Sequence, residues 1–179
     1  MATPGHHTLS VFVENRPGVL SRVCGLFSRR GFNIESLAVG PTERADRSVI
    51  TIRVDCTRHS VEQVVKQLDK LINVIEIREL APGEGVEREM LLITVSADPQ
   101  HRAEVAEIVN IFEGKIVSVG PKSLMVMLAD PPEKLDDFED LLRPYGIIDV
   151  QRTGPVALPK VARRVSEAAD PSSAAVLAG

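Results

Sequence analysis

The sequence predicts an α+β protein built from two βαββαβ sandwiches in tandem, and three observations predict it. The apolar pattern alternates between period two and helical spacing in the order strand, helix, strand, strand, helix, strand. A short stretch, Ala81-Pro82-Gly83-Glu84-Gly85, has the composition of a linker. Beyond it the same order recurs with little residue identity. A chain of 179 residues is long enough for two small domains that each bury a core.

In the first half, Leu9, Val11 and Val13 line one face of a strand that ends at Glu14. Val19, Leu20, Val23, Leu26 and Phe27 then form one stripe of a helix, with Arg22, Arg29 and Arg30 opposite and Gly31 as the stop. Asn33 to Gly40 reads as a second strand, and the polar run from Pro41 to Arg47 as a loop. From Ser48 to Cys56, Ile50, Ile52 and Val54 alternate with Thr51, Arg53 and Asp55, the mark of a half-buried antiparallel strand. Ser60, with Gln63 three residues on, is a helix N-cap signal, and the stripe Val61, Val64, Val65, Leu68, Leu71, Ile72 follows it. Val74 to Leu80 closes the half. This order is the ferredoxin-like split βαβ sandwich, one antiparallel sheet with two helices on one face.

The second half gives strands at Glu89–Ala97, Lys115–Val119, Leu124–Ala129 and Tyr145–Arg152. Its helices carry Val105, Ile108, Val109 and Phe112, then Leu135, Phe138, Leu141 and Leu142. The expected division is residues 1–80, a linker 81–85, a second ferredoxin-like domain 86–155 and a disordered tail 156–179. Within that tail Lys160 to Ala168 has the pattern of a helical turn or two.

Composition excludes several classes. Lys+Arg 21 against Asp+Glu 25 leaves a net charge of −4, and Phe 5 and Tyr 1 are the whole aromatic set. A nucleic-acid binder shows a basic face and stacking rings, so an RNA-binding reading of this strand order is disfavoured. No window reaches the ~18 apolar residues of a membrane span, and MATPGHHTL is not a signal peptide. A cytoplasmic protein is expected. Cys24 and Cys56 lack metal-ligand spacing and read as small hydrophobes in a reducing compartment. His6-His7 reads as a solvated strand end, and His59 and His101 specify no metal. Glu87-Arg88-Glu89 reads as a solvated or partner-facing start of a strand, so no catalytic residue is expected.

One feature calls for a function. The stretch VENRPGVLSRVCGLFSRRGFNIESL holds two shaped turns, Asn15-Arg16-Pro17-Gly18 and Arg30-Gly31-Phe32-Asn33, with no nucleophile, base or metal ligand in either. A helix N-terminus presents free N–H groups and a partial positive charge, which suit a small carboxylate. Gly18 lets a ligand approach the backbone, and Asn33 offers both a donor and an acceptor, suiting an ammonium as well. A small zwitterion fits. The same residues are also ordinary turn grammar, and by themselves they leave both readings open.

The pattern N-x-x-G-V-L followed by G-F-N-I-E-S-L resembles the ACT domain, a ferredoxin-like module that binds amino acids in metabolic regulators. The longer blocks ENRPGVLSRVCGLFSRRGFNIESLAVGPTE, KQLDKLINVIEI and VEREMLLITV resemble the small regulatory subunit of acetohydroxyacid synthase (acetolactate synthase), over about residues 8 to 155. The resemblance implies an N-terminal ACT domain and no active site or cofactor on this chain. Thiamine diphosphate, Mg and FAD would belong to the catalytic large subunit, the expected partner. It implies stimulation of that subunit and feedback inhibition by valine, less so by leucine or isoleucine. Carried over, Asn15, Gly18, Val19 and Leu20 would receive the effector. Asn33 and Ile34 would complete the site from the second chain of a homodimer paired through its ACT domains. The alternative is a stand-alone ACT amino-acid sensor acting on another partner.

Overall fold

The period-two run at the chain's start becomes β1 (His6–Glu14), which lies inside the first sheet because Leu9, Val11 and Val13 are all buried. The computed structural model describes residues 6–81 and 83–161. α1 (Val19–Arg30) turns Val19, Val23, Leu26 and Phe27 onto the sheet. It ends at Gly31, whose φ of 68° lets the Phe32 N–H donate back to the Phe27 carbonyl at 3.0 Å. β2 (Asn33–Pro41), β3 (Arg47–Asp55), α2 (Val61–Leu68) and β4 (Val74–Leu80) complete the half. The sheet order is β2-β3-β1-β4, with every neighbouring pair antiparallel.

Ser60 caps α2 as its spacing predicts, its Oγ accepting from the Gln63 N–H at 3.4 Å. The expected stripe overshoots, however. α2 stops at Leu68, a chain of turn bonds carries the backbone round to Val74, and Ile72 is 88% exposed. The short connection to β4 leaves no room for another helical turn.

The second half repeats the plan. β5 (Gly85–Ser96), α3 (Arg102–Ile111), β6 (Lys115–Val119), β7 (Ser123–Asp130), α4 (Pro132–Leu142) and β8 (Ile147–Arg152) make a sheet of order β6-β7-β5-β8. Leu91, Ile93 and Val95 from β5 meet Val105, Val109, Leu135, Phe138 and Leu142 from the helices. Fully burying each such side chain is worth about 1.5–3 kcal/mol, so each half has its own core. Leu141 falls outside that core and is half exposed.

Three expectations need correcting. Gly85 is not linker but the first residue of β5, and residues 156–159 are not tail but a further strand, β9 (Val156–Pro159). Gly85 to Arg88 pair with Pro159 to Val156, and Ala157 and Leu80 are both buried there. Pro155 precedes the strand and Pro159 ends it, places where a missing N–H is tolerated. Residues 162–179, with most of the expected helical turns at Lys160 to Ala168, lie outside the described residues. Finally, His6 and His7 are part of β1. Their Nδ1 atoms stand 2.6 Å from Glu35 and 2.7 Å from Glu79, so each is a cross-strand pair and not a solvated end.

Candidate functional site

The end of β1 is tied on two sides. The Glu14 N–H donates to the Asn73 carbonyl at 3.0 Å, and the Asn15 N–H to the Asp46 carbonyl at 2.8 Å. The Asn15 side-chain amide donates to the Ala45 carbonyl at 3.0 Å. These bonds fix the direction in which the chain leaves the sheet. Pro17 and Gly18 then complete the turn, with Gly18 at φ 84°, the left-handed region that glycine enters without strain. No side chain caps α1, no acidic residue sits in its first turn, and a Cβ built on Gly18 would meet nothing within 4 Å. The N-terminus of α1 is therefore open in front, unlike that of α2, where Ser60 fills the same role.

The four residues expected at this turn contribute differently. Asn15 spends one amide N–H on the loop, which leaves its second N–H and its Oδ1 for a ligand. Val19 is 5% exposed and belongs to the core, so only its backbone faces the turn. Leu20 is 40% exposed and forms an apolar lip.

Asn33 and Ile34 are elsewhere. β1 and β2 are both antiparallel to β3, so they run the same way, and both His6 and Asn33 lie opposite Asp55. Glu14, just before the turn, lies opposite Arg47 at the other end. The eight-residue span between these levels is about 26 Å at ~3.3 Å per residue. One chain thus brings Asn15, Gly18, Val19 and Leu20 together and does not bring Asn33 or Ile34 to them. Asn33 is exposed, and Ile34 packs partly against the first core.

Asn73 is the residue that sequence reasoning missed. Its amide donates to the Glu14 carboxylate at 2.7 Å, and its Oδ1 accepts from Arg22 of α1 at 2.7 Å, so it braces the turn from behind. The available signal was a lone amide inside Leu71-Ile72-Asn73-Val74. Ala45 and Asp46 were likewise read as plain loop. A cleft of about 820 Å³ opens between the halves, lined among others by His6, His7, Arg53, Arg88 and Lys160, but none of the six candidate residues borders it.

No three His, Cys, Asp or Glu residues cluster to hold a metal among the described residues. Cys24 and Cys56 are free thiols, and burial, then the charge of Asp55, pushes the Cys56 thiol above its usual range. No described helix is long and apolar enough to cross a membrane.

Comparison with known proteins places the whole arrangement. Residues 9–76 match the AHAS small subunit-like ACT domain, and residues 88–161 match the family described as the small subunit of acetolactate synthase. The chain belongs to the acetolactate synthase small-subunit family. A probable acetolactate synthase small subunit of Archaeoglobus fulgidus is 51% identical over 152 residues, covering 85% of this chain and 95% of that one. The acetolactate synthase small subunit of Mycolicibacterium smegmatis is 48% identical over 162 residues, 90% of this chain and 95% of the relative. The crystal structure of the Thermotoga maritima small subunit superposes with a TM-score of 0.80 at 36% identity, covering 88% of this chain and 98% of that one. The first family segment lies within the first sandwich and carries all six candidate residues. The second takes in β9, so the strand missing from the sequence reading lies inside the matched family segment.

Proposed function

We infer that the chain is the regulatory subunit of an acetolactate synthase, which stimulates a catalytic large subunit and confers feedback inhibition by valine. The observation that carries this is the open N-terminus of α1 behind Gly18, in a chain of the small-subunit family. Its first-turn N–H groups receive the effector's carboxylate, the exposed face of Leu20 meets its isopropyl group, and amide oxygens receive its ammonium. A dipole term of ~0.3–1 kcal/mol is too small alone, so several N–H bonds and the Asn contacts are needed for useful affinity. Leucine and isoleucine carry the same carboxylate and ammonium and engage the same groups.

Register supports a site shared by two chains. β2 is an edge strand with unpaired backbone groups. If two copies pair their β2 strands antiparallel about Leu37, Asn33 of one lies level with Pro41 of the other. Pro41 sits at the sheet end where Asn15 is tied to Ala45 and Asp46. A two-fold homodimer thereby brings the two groups of candidate residues to the same end. Thiamine diphosphate, Mg and FAD belong in this reading to the large subunit, which carries out the condensation in the cytoplasm. This chain contributes an effector receptor and a contact surface.

The test is acetolactate formation by the cognate large subunit with and without this chain, across a valine titration. Stimulation together with valine inhibition is expected. A chain that leaves the large subunit unaffected, or binds valine while acting on a different partner, overturns the reading. Mixing Gly18→Asp and Asn33→His chains tests the shared site: each homodimer has no intact site, whereas each mixed dimer regains one. If refolded mixtures recover no valine binding, the two-chain geometry is wrong.

A further inference from the structure

The second half holds a buried carboxylate, paired with a half-buried arginine, that the effector turn does not explain. Glu89 is only 6% exposed. It lies where the sequence suggested a solvated or partner-facing start of strand, and it is buried because the chain on the other side of β5 closes over it. β8 and β9 lie on one side of β5, with Leu91 opposite Arg152 and Arg88 opposite Val156. Between those pairs two residues of β5, Glu89 and Met90, thus face three of the other strand, which is a bulge at residues 153–155. The Glu89 carboxylate holds that bulge from inside, accepting from the Gly154 N–H at 3.0 Å and from the Arg152 guanidinium at 2.8 Å. Arg152 also reaches Asp136 and Glu139 on α4. Burial alone would lower its pKa, but the hydrogen bonds and charges of Glu89 and Asp136 more than reverse that, and the guanidinium stays charged. A buried carboxylate with two fixed donors is a stiff element, because removing Arg152 would leave the Glu89 charge buried and unpaired.

The bulge is also where the halves touch. Gly154 is buried at φ 77°, and a Cβ there would stand 3.0 Å from the Ser36 Cβ and 3.7 Å from the Leu37 N–H nitrogen of β2. β2 breaks register with β3 between Ile34 and Ser36, next to this contact. Below it, β9 lies against β1 and β4. β2 is the strand that carries Asn33 and Ile34. One glycine, set in place by Glu89, therefore packs against β2 at Ser36, two residues beyond Ile34, with no room there for a side chain.

We propose that the Glu89–Arg152 pair and Gly154 form the coupling element that carries effector occupancy on β2 into the second half. This rests on the reading of Asn33 and Ile34 as effector contacts. Ordering Asn33 against the ligand shifts β2 at its bulge. Ser36 bears on Gly154, and Arg152 passes the change to α4. Glu89, Arg152 and Gly154 are positioning residues that touch no ligand, so their loss should separate binding from response.

The experiment uses the full chain with its large subunit. Valine binding to the free chain is measured by calorimetry, and activation and valine inhibition by acetolactate formation. The variants are Glu89→Gln with Arg152→Met, which removes both charges together, Gly154→Ala, and Gly154→Ala with Ser36→Gly, which vacates the space the new methyl needs. The double variant is expected to bind valine within about threefold of the parent and to activate normally. At saturating valine its activity should stay high, with coupling lost by about 5- to 150-fold, the usual span of such a factor. Gly154→Ala should behave the same way, and Ser36→Gly should restore part of the inhibition. If the double variant is unstable in a thermal melt, the Gly154 and Ser36 pair decides the matter. Parental inhibition in these variants overturns the proposal, and so does loss of valine binding, which would make the pair a support of the site. No valine binding by the parent chain overturns the functional reading itself.

Discussion

The two halves enter their first helix by the same strand-to-helix turn, and they finish it in opposite ways. In the first, Asn15 to Gly18 leads into α1 with no carboxylate, no side-chain cap and free space in front of Gly18. In the second, Asp98 to His101 leads into α3 with an anion built in. The Asp98 carboxylate accepts from the Gln100 and His101 N–H groups, each at 3.0 Å, and stands 2.9 Å from the His101 ring. Those bonds, the His101 N–H first, hold the Asp98 carboxyl below its usual range. A helix start that already holds a carboxylate has no use for another. The difference teaches that one fold element keeps its helix N-terminus open when its anion is left out and closes it when a carboxylate is supplied in cis.

The largest expected effect comes from making the first turn resemble the second. Gly18→Asp supplies the missing carboxylate, and valine inhibition should be lost while activation of the large subunit persists. Because φ is 84° there, any side chain adds roughly 1–3 kcal/mol of strain, so Gly18→Ala is the matched control for geometry without charge. Inhibition curves of both variants separate the causes, and a Gly18→Asp chain as valine-sensitive as the parent ends the receptor reading.

Separating the halves should come next in size. A chain ending at Ala81 keeps the first core and the open turn but loses β9 from its place against β1 and β4. It is expected to bind the large subunit and to transmit valine inhibition poorly, as judged by the same curves. Full sensitivity in that truncation would leave the second half without a role in the signal.

Asn33→His replaces a short amide with a ring, from the other group of candidate residues. Losing one hydrogen bond to a charged group is worth about 1.5–3 kcal/mol, so the valine needed for half inhibition should rise roughly tenfold or more. Calorimetry on the free chain checks this, and unchanged affinity would remove Asn33 from the site.

The smallest effect belongs to the second turn. Asp98→Asn should lower the melting temperature slightly and leave the valine response unchanged. The sign follows from the lowered pKa. A carboxyl whose folded pKa lies below its unfolded value of about 3.9 gives stability that is complete above that pH and lost as pH falls through the folded value. The melting difference between parent and variant should therefore shrink in acid, and a difference that grows there would contradict the capping role.

Much of this was readable in advance because the elements bury one face each. Val19, Val23, Leu26 and Phe27 could only be a helix stripe, and Ile50, Ile52 and Val54 only a strand face. The N-x-x-G turn was visible for a similar reason, since glycine and asparagine mark backbone shapes locally. Asn73 and Glu89 were not readable. Asn73 matters through Glu14 and Arg22, which lie far from it in the chain, and Glu89 through Arg152 and Gly154. Neither pairing leaves a periodic trace.

By itself, then, the sequence determined the two βαββαβ units, their cores and the unusual turn before α1, because hydrophobic period and local backbone preference act over a few residues. Only the tertiary structure decided that Asn33 and Ile34 lie at the far end of the sheet from Gly18. It alone made a strand of residues 156–159 and buried Glu89 beneath a bulge that meets Ser36. Strand register and long-range pairing fix those outcomes, and they depend on contacts between residues that no local pattern connects.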